Sequence, residues 1–269
     1  MENAMKFEKI SFGKRIGSML KVDFRRMFKS KLVYILIACA LVMPILMTVM
    51  MAMMDGSVSV DPQTGVETVM PGPENTWQNI GTLPGGEAMG GNEIFMMCNI
   101  NMVFMLVAVF VCLFISDDFR SGYAKNLFTV RAKRGEYVVS KTVSGFICGA
   151  LMLIAYFIGS ILGGAMAGLS FDLYGLNAGN IVMCMLAKIF LMLVFVSIFT
   201  LISVAAKQKA WLSICGSLGG GMLLFMMVSM ITPLGSTFIN VILCLAGGAM
   251  FAFGLGAISK VVLKKTSLV

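Results

Sequence analysis

The sequence predicts an all-α integral membrane protein with six transmembrane helices, cytoplasmic N and C termini, and an N-terminal amphipathic interfacial helix. Three observations predict it. Hydrophobic residues make up 58% of the chain and charged residues only 13%, with a mean hydropathy of +0.91, whereas soluble domains carry about 25% charged residues. Six apolar runs, at residues 32–54, 94–115, 142–169, 181–205, 210–231 and 237–259, are each long enough to cross a bilayer. All but one of the 21 Lys and Arg residues lie before the first run, between the second and third, between the fourth and fifth, or after the sixth. Basic residues beside spans are retained in the cytoplasm, so this alternation places both termini inside; a five- or seven-span layout would put a basic cluster outside.

Residues 10–30 carry Ile16, Met19, Leu20, Phe24, Met27 and Phe28 at helical spacing, with Lys14, Arg15, Lys21, Arg25, Arg26 and Lys29 on the other face. Such a helix suits the inner headgroup layer of the lipid bilayer. Residues 32–54 are 23 uncharged residues, about 34 Å of helix against a hydrocarbon core of about 30 Å. This run is too long for the core of a cleaved signal peptide. Pro44 is expected to bend it, with Thr48 supplying a hydrogen bond to the disturbed backbone.

Residues 55–93 form the largest external loop, with Asp55, Asp61, Glu67, Glu74, Glu87 and Glu93, no Lys or Arg, and Pro62, Pro71, Pro73 and Pro84. Its composition predicts turns and irregular structure, with Thr76 reachable from outside. Exclusion of positive charge explains the missing bases. The surplus of acids also fits attraction of a cationic substrate, and both readings stand.

The second span carries Asn99 and Asn101 near its outer end. The third, 28 uncharged residues long, is long enough to tilt or to project from the bilayer. Its pairs Gly145/Gly149, Gly159/Gly163 and Gly164/Gly168 follow the small-xxx-small pattern that lets helices approach closely. A short external segment with Asp172 leads to the fourth span. Lys207 and Lys209 mark an inner turn, the fifth span contains a glycine cluster at 216–221, residues 233–236 turn outside, and Lys260, Lys264 and Lys265 follow the sixth span.

Lys188 is the one base inside a span, about 12 Å along the helix from Asn180. An intramembrane Lys is costly enough to need a reason. Either it snorkels to the outer headgroups, or it lines a translocation pathway with Asn99 and Asn101, or pairs with an acid such as Asp172 or Glu93.

Other chemistry is sparse. The seven cysteines lie singly in apolar runs, which is the pattern of small buried residues rather than a disulfide framework, and the chain has no His. No metal site and no catalytic residue are expected. No G-x-x-x-x-G-K-S/T loop occurs, so no cofactor is expected in this chain and any ATP belongs to another subunit. No span contains an acid, which argues against proton- or sodium-coupled carriage and against intramembrane proteolysis by paired acids. The bases sit at span ends rather than on one face, so their excess is topological and no nucleic acid is expected as a partner.

Residues 116–141 are a charged island that is expected to lie in water on the cytoplasmic side. Asp118, Gly122, the pair Lys125 and Asn126, Arg134, Tyr137 and Lys141 stand there in order and rough spacing. In this the chain resembles ABC-2 type transporter permeases, notably bacteriocin-immunity and peptide-export permeases. The resemblance implies a short helix docking on a separate ABC ATPase, with two ATPase copies and a second permease copy or paralogue completing the complex. Carried onto this sequence, the ATPase-coupling residues are Asp118, Phe119, Arg120, Gly122, Tyr123, Lys125, Asn126, Leu127 and Phe128. Phe119, Tyr123, Leu127 and Phe128 recur at helical spacing, an apolar face suited to a partner's cleft. The implied function is outward movement of a peptide, antimicrobial or lipid-like substrate across the plasma membrane. The 26 methionines would give such a pathway adaptable walls, and they are equally ordinary span filler. The alternative is a non-transporting membrane sensor or immunity protein that sequesters its ligand.

Overall fold

The structure, a computed structural model, describes residues 11–60, 67–69, 72–81, 99–130 and 134–265. The expected start of the second span at 94–98, with Cys98, and loop residues Asp61, Pro62, Pro71, Pro84, Glu87 and Glu93 lie outside the described residues. The protein is an all-α membrane protein. Its helices are α1 (Phe12–Lys29), α2 (Lys31–Met53), α3 (Met102–Arg120), α4 (Tyr123–Val130), α5 (Arg134–Ala167), α6 (Ala178–Ala206), α7 (Ala210–Ile231) and α8 (Phe238–Lys265). Among them α2, α3, α5, α6 and α8 are long and apolar enough to cross a membrane, and α7 carries a shorter apolar run at Ala210–Phe225.

Helices occupy the described parts of the six apolar runs, with instructive shifts at their ends. α1, α2 and α7 begin and end within two residues of the limits that the sequence pattern gives. The third span begins eight residues early, at Arg134 rather than 142, and the second continues to Arg120 rather than 115. Both extensions run into the charged island, because Asp118, Glu136 and Lys141 are buried rather than hydrated. The island therefore does not lie wholly in water. The coupling stretch is not one helix from 118 to 128 either. Ser121 and Gly122 break it, Gly122 taking φ +75, a conformation that a side chain disfavours. The last helix continues beyond 259 to Lys265, carrying its lysines on regular backbone.

α2 packs chiefly on α5, α6 chiefly on α8, and α3 lies between α5, α6 and α7. The core is apolar and aromatic: Phe104 of α3 meets Phe195 of α6 with ring centroids 4.4 Å apart. Gly149, Gly159 and Gly163 of α5 serve packing within the chain, whereas Gly168 lies beyond the helix at φ +70 with open space around it, so the Gly164/Gly168 pair is not a close-approach motif. A Cβ on Gly159 would collide with the Leu41 carbonyl and lie 2.7 Å from Pro44 Cγ, and one on Gly163 would lie 2.9 Å from Ile45 Cα. Gly149 has the same relation to Met192 of α6, where a Cβ would approach within 2.9 Å of Cγ. Within α2, Pro44 leaves the Ala40 carbonyl without its usual backbone donor; the expected Thr48 hydrogen bond forms one turn further on, Oγ1 donating to the Pro44 carbonyl at 2.6 Å.

The two ends of the bundle differ in charge. One end gathers α1, the end of α3, α4, the start of α5, the α6–α7 turn and the end of α8. Among the described residues it holds every Lys and Arg except Lys188. The opposite end carries Asp55, Glu74 and Asp172. Its loop is more ordered than composition predicts. Val58–Val60 and Glu67–Val69 form a short antiparallel hairpin, β1 and β2. A 3-10 helix at Thr76–Asn79 is tied to the bundle by Asn75 Nδ2 donating to the Asp172 carbonyl at 2.7 Å, Trp77 Nε1 to the Phe171 carbonyl at 3.0 Å and Asn79 Nδ2 to Thr48 Oγ1 at 2.7 Å. Thr76 is consequently buried, contrary to the expectation of an accessible loop position. Cys39 and Cys215 likewise depart from expectation, being exposed on the apolar surface.

The close α2–α5 approach makes a checkable statement. Gly159→Val should destabilise the protein by about 1 to 3 kcal/mol or more through overpacking, whereas Gly219→Ala, with open space around its Cβ position, should leave stability unchanged. Thermal unfolding of the two variants in detergent measures the difference.

Candidate functional site

The charged residues of the island converge with α1 on a compact cluster. Asp23 of α1, Asp118 of α3 and Lys141 of α5 are each at most 1% exposed. Lys141 Nζ bridges both acids, at 2.8 Å from Asp23 Oδ1 and 2.7 Å from Asp118 Oδ2. Arg26, one turn along α1 from Asp23, sets Nη1 2.6 Å from Asp118 Oδ1. Tyr137 Oη donates to Asp118 Oδ2 at 2.9 Å, and Ser140 Oγ donates to Asp23 Oδ2 at 2.5 Å. Aromatic rings close the sides. Lys141 Nζ lies 3.9 Å from the centroid of Phe114, and the Arg26 guanidinium lies 4.3 Å from that of Tyr123. Two acids face two bases, so the cluster is neutral as a whole, as burial away from water requires.

Helical register places these groups. Asp23 sits between Met19 and Met27 at four-residue spacing, so the one acid of α1 points with the apolar stripe toward α5. Tyr137 and Lys141 share a face one turn apart on α5, and Ser140 completes that face. A second pair reinforces the contact, Arg15 Nε meeting Glu136 Oε1 at 2.7 Å. Arg134 donates to the Leu263 carbonyl and packs over Phe128, which ties the same corner to α8. Burial alone would disfavour the charge on Arg26, but the charge and hydrogen bond of Asp118, and then Asp23, hold its guanidinium above the ordinary arginine value. Burial, with Asp23 and Asp118 adding to it, pushes the Tyr123 hydroxyl up, so it stays a neutral phenol beneath Arg26.

The structure divides the predicted coupling residues. Asp118 and Phe119 belong to the end of α3, and Phe119 and Phe128 are buried against Tyr137, with ring centroids 6.4 Å and 5.3 Å away. The aromatic face expected to enter a partner's cleft is thus turned into the chain's own bundle. Tyr123 and Leu127 are half-buried beneath α4, and Gly122 forms the turn. Arg120, Lys125 and Asn126 face outward, joined by Ser121 and Thr129. Sequence reasoning missed Asp23 altogether. Its signal was legible: a lone acid in register with methionines on an otherwise apolar stripe.

Lys188 forms a second site near the opposite end, and it neither snorkels nor pairs with Asp172. It is fully buried, and Nζ donates to Asn101 Oδ1 at 3.0 Å and to Thr232 Oγ1 at 2.9 Å. Asn101 Nδ2 in turn donates to Ser229 Oγ at 3.0 Å, and Asn99 Oδ1 accepts from the Asn101 backbone at 2.9 Å. One cation therefore gathers the start of α3, the middle of α6 and the end of α7.

The sequence matches the family described as ABC-2 family transporter protein over residues 19–223, about three quarters of the chain. The chain belongs to that family: it is a multi-pass permease subunit of an ABC transporter and works with an ABC ATPase. No curated protein and no solved structure shows significant similarity to it.

The cluster predicts its own sensitivity. Lys141→Met leaves Asp23 and Asp118 facing each other with reduced compensation and should cost about 3 to 5 kcal/mol. Adding Asp118→Asn to Lys141→Met should recover part of the loss, because it removes the surplus charge. Thermal unfolding of the purified permease, single variant against double, checks the sign of that recovery.

Proposed function

We propose that the chain is the membrane-spanning permease of an ATP-driven exporter. In this reading the six apolar helices all span the membrane, both termini and the basic end face the cytoplasm, and ATP is bound by the partner subunit. The observation that carries it is the cluster of Asp23, Arg26, Asp118 and Lys141, which fixes the turn at Gly122 and α4 to the bundle while Arg120, Lys125, Asn126 and Thr129 stay exposed at its tip. A rigidly anchored helix with an outward polar face suits transfer of motion from an ATPase to the spans.

Two ATPase copies are proposed, with a second permease copy or a paralogue. The exposed apolar faces of α2, α7 and α8, including Leu46, Leu223 and Phe253, leave surface for another permease or for lipid. Outward transport of a peptide, antimicrobial or lipid-like compound is supported by the resemblance of residues 118–141 to peptide-export permeases. On this reading Lys188, with Asn101, borders the outer part of the pathway, where a fixed cation would favour an anionic group of the passing substrate.

The docking assignment is tested at the exposed face. Because interface hot spots cost about 1 to 3 kcal/mol or more when lost, Arg120→Glu combined with Lys125→Glu should lower ATPase retention on the purified permease at least about tenfold while leaving its thermal stability unchanged. Full retention in the double variant removes this face from the interface.

A further inference from the structure

α1 divides its basic residues between two faces. Arg15 and Arg26 turn inward to Glu136 and Asp118. Lys14, Lys21, Arg25 and Lys29 are exposed, and none has an ion-pair partner among the described residues. At about 100° per residue these four fall within an arc of about 80°, almost diametrically opposite Asp23. Val22 and Phe28, both 44% exposed, flank the arc on either side. The only acid of α1 is spent inside the cluster, so nothing on this helix offsets the outward charge.

We propose that this stripe is a binding surface for anionic phospholipid, with the four cations meeting headgroup phosphates and with Val22 and Phe28 entering the boundary between headgroups and acyl chains. Three features select this occupant. The stripe is basic with apolar flanks, which matches the layered chemistry of the interface. It ends immediately before α2, so it leads to where the chain enters the bilayer on this reading. A zwitterionic headgroup carries no net charge to meet four unpaired bases, whereas each Lys or Arg at an anionic surface raises partitioning about fivefold. The inference rests on the reading that the basic end faces the inner headgroup layer. Since Asp23 occupies the opposite face of the same helix, with Arg26 at its side, lipid held on the stripe also steadies the cluster that anchors α4.

The test uses the full-length permease alone in detergent, so it does not depend on recruiting an ATPase. Titration with phosphatidylglycerol should raise the thermal unfolding midpoint, whereas phosphatidylcholine or inorganic phosphate at equal concentration should not. Replacing all four bases with Gln should raise the phosphatidylglycerol needed for half-maximal stabilisation by at least about tenfold. The variant Lys14→Arg, Lys21→Arg, Lys29→Arg, which keeps the charge, should respond like the unaltered chain and shows that the fold tolerates substitution there. Equal stabilisation by both lipids, an undiminished response in the Gln variant, or loss of ATPase retention in that variant with no change in lipid response would each overturn the proposal, the last by assigning the stripe to the ATPase.

Discussion

A charge taken out of water at the edge of a membrane has to meet an opposite charge at bonding distance, and that constraint organises the basic end of this protein. Lys141 holds Asp23 and Asp118 together, and Arg26 closes the circuit. The consequences spread outward from those contacts. α1 is held on α5 by its own acid, α3 runs on through Asp118, and α5 starts early enough to bring Tyr137, Ser140 and Lys141 into the cluster. With both flanking helices committed, Gly122 turns the chain and α4 lies against Tyr137 through Phe128. α1 and α4, far apart in sequence, become one mechanical unit.

The opposite end is organised by a different economy of polar groups. Lys188, Asn101, Ser229 and Thr232 join three helices through neutral acceptors, and Asn79, Asn75 and Trp77 seat the loop after α2 on Thr48 of α2 and on the segment between α5 and α6. Between the ends, association rests on shape. Lipid is as apolar as the side chains, so close backbone approach at Gly159 and Gly163, rather than hydrophobic burial, brings α2 against α5. The permease is thus pinned by electrostatics at one face, by hydrogen bonds at the other, and by packing in the middle.

Much of this was legible in the sequence, and the exceptions share one cause. Apolar run length located the helices, and the distribution of Lys and Arg separated the two ends, because both signals follow from the bilayer as solvent. The register of Pro44 and Thr48 also read through to a hydrogen bond. What failed was the assumption that a charged residue marks water. It ended the second span at 115 and began the third at 142, and it assigned Phe119 and Phe128 to a partner. Pairing across α1, α3 and α5 is a tertiary fact, invisible to a window sliding along the chain. Asp23 was the one clue, an acid on an apolar stripe, and its meaning depended on Lys141 more than a hundred residues away. Lys188 was singled out as needing a reason and grouped with Asn101, which it does meet, but its second partner, Thr232, comes from a helix end that no periodicity could align.

The central claim is that the buried cluster makes α1 and α4 one unit. Hydrogen exchange on the purified permease carrying Asp23→Asn tests it most directly, since that change lies on α1 alone. The account predicts that amides of Tyr123–Val130 exchange at least about tenfold faster together with those of α1, an opening easier by about 1.4 kcal/mol, while α6 and α8 keep their protection. Acceleration confined to α1, with α4 unchanged, would contradict it.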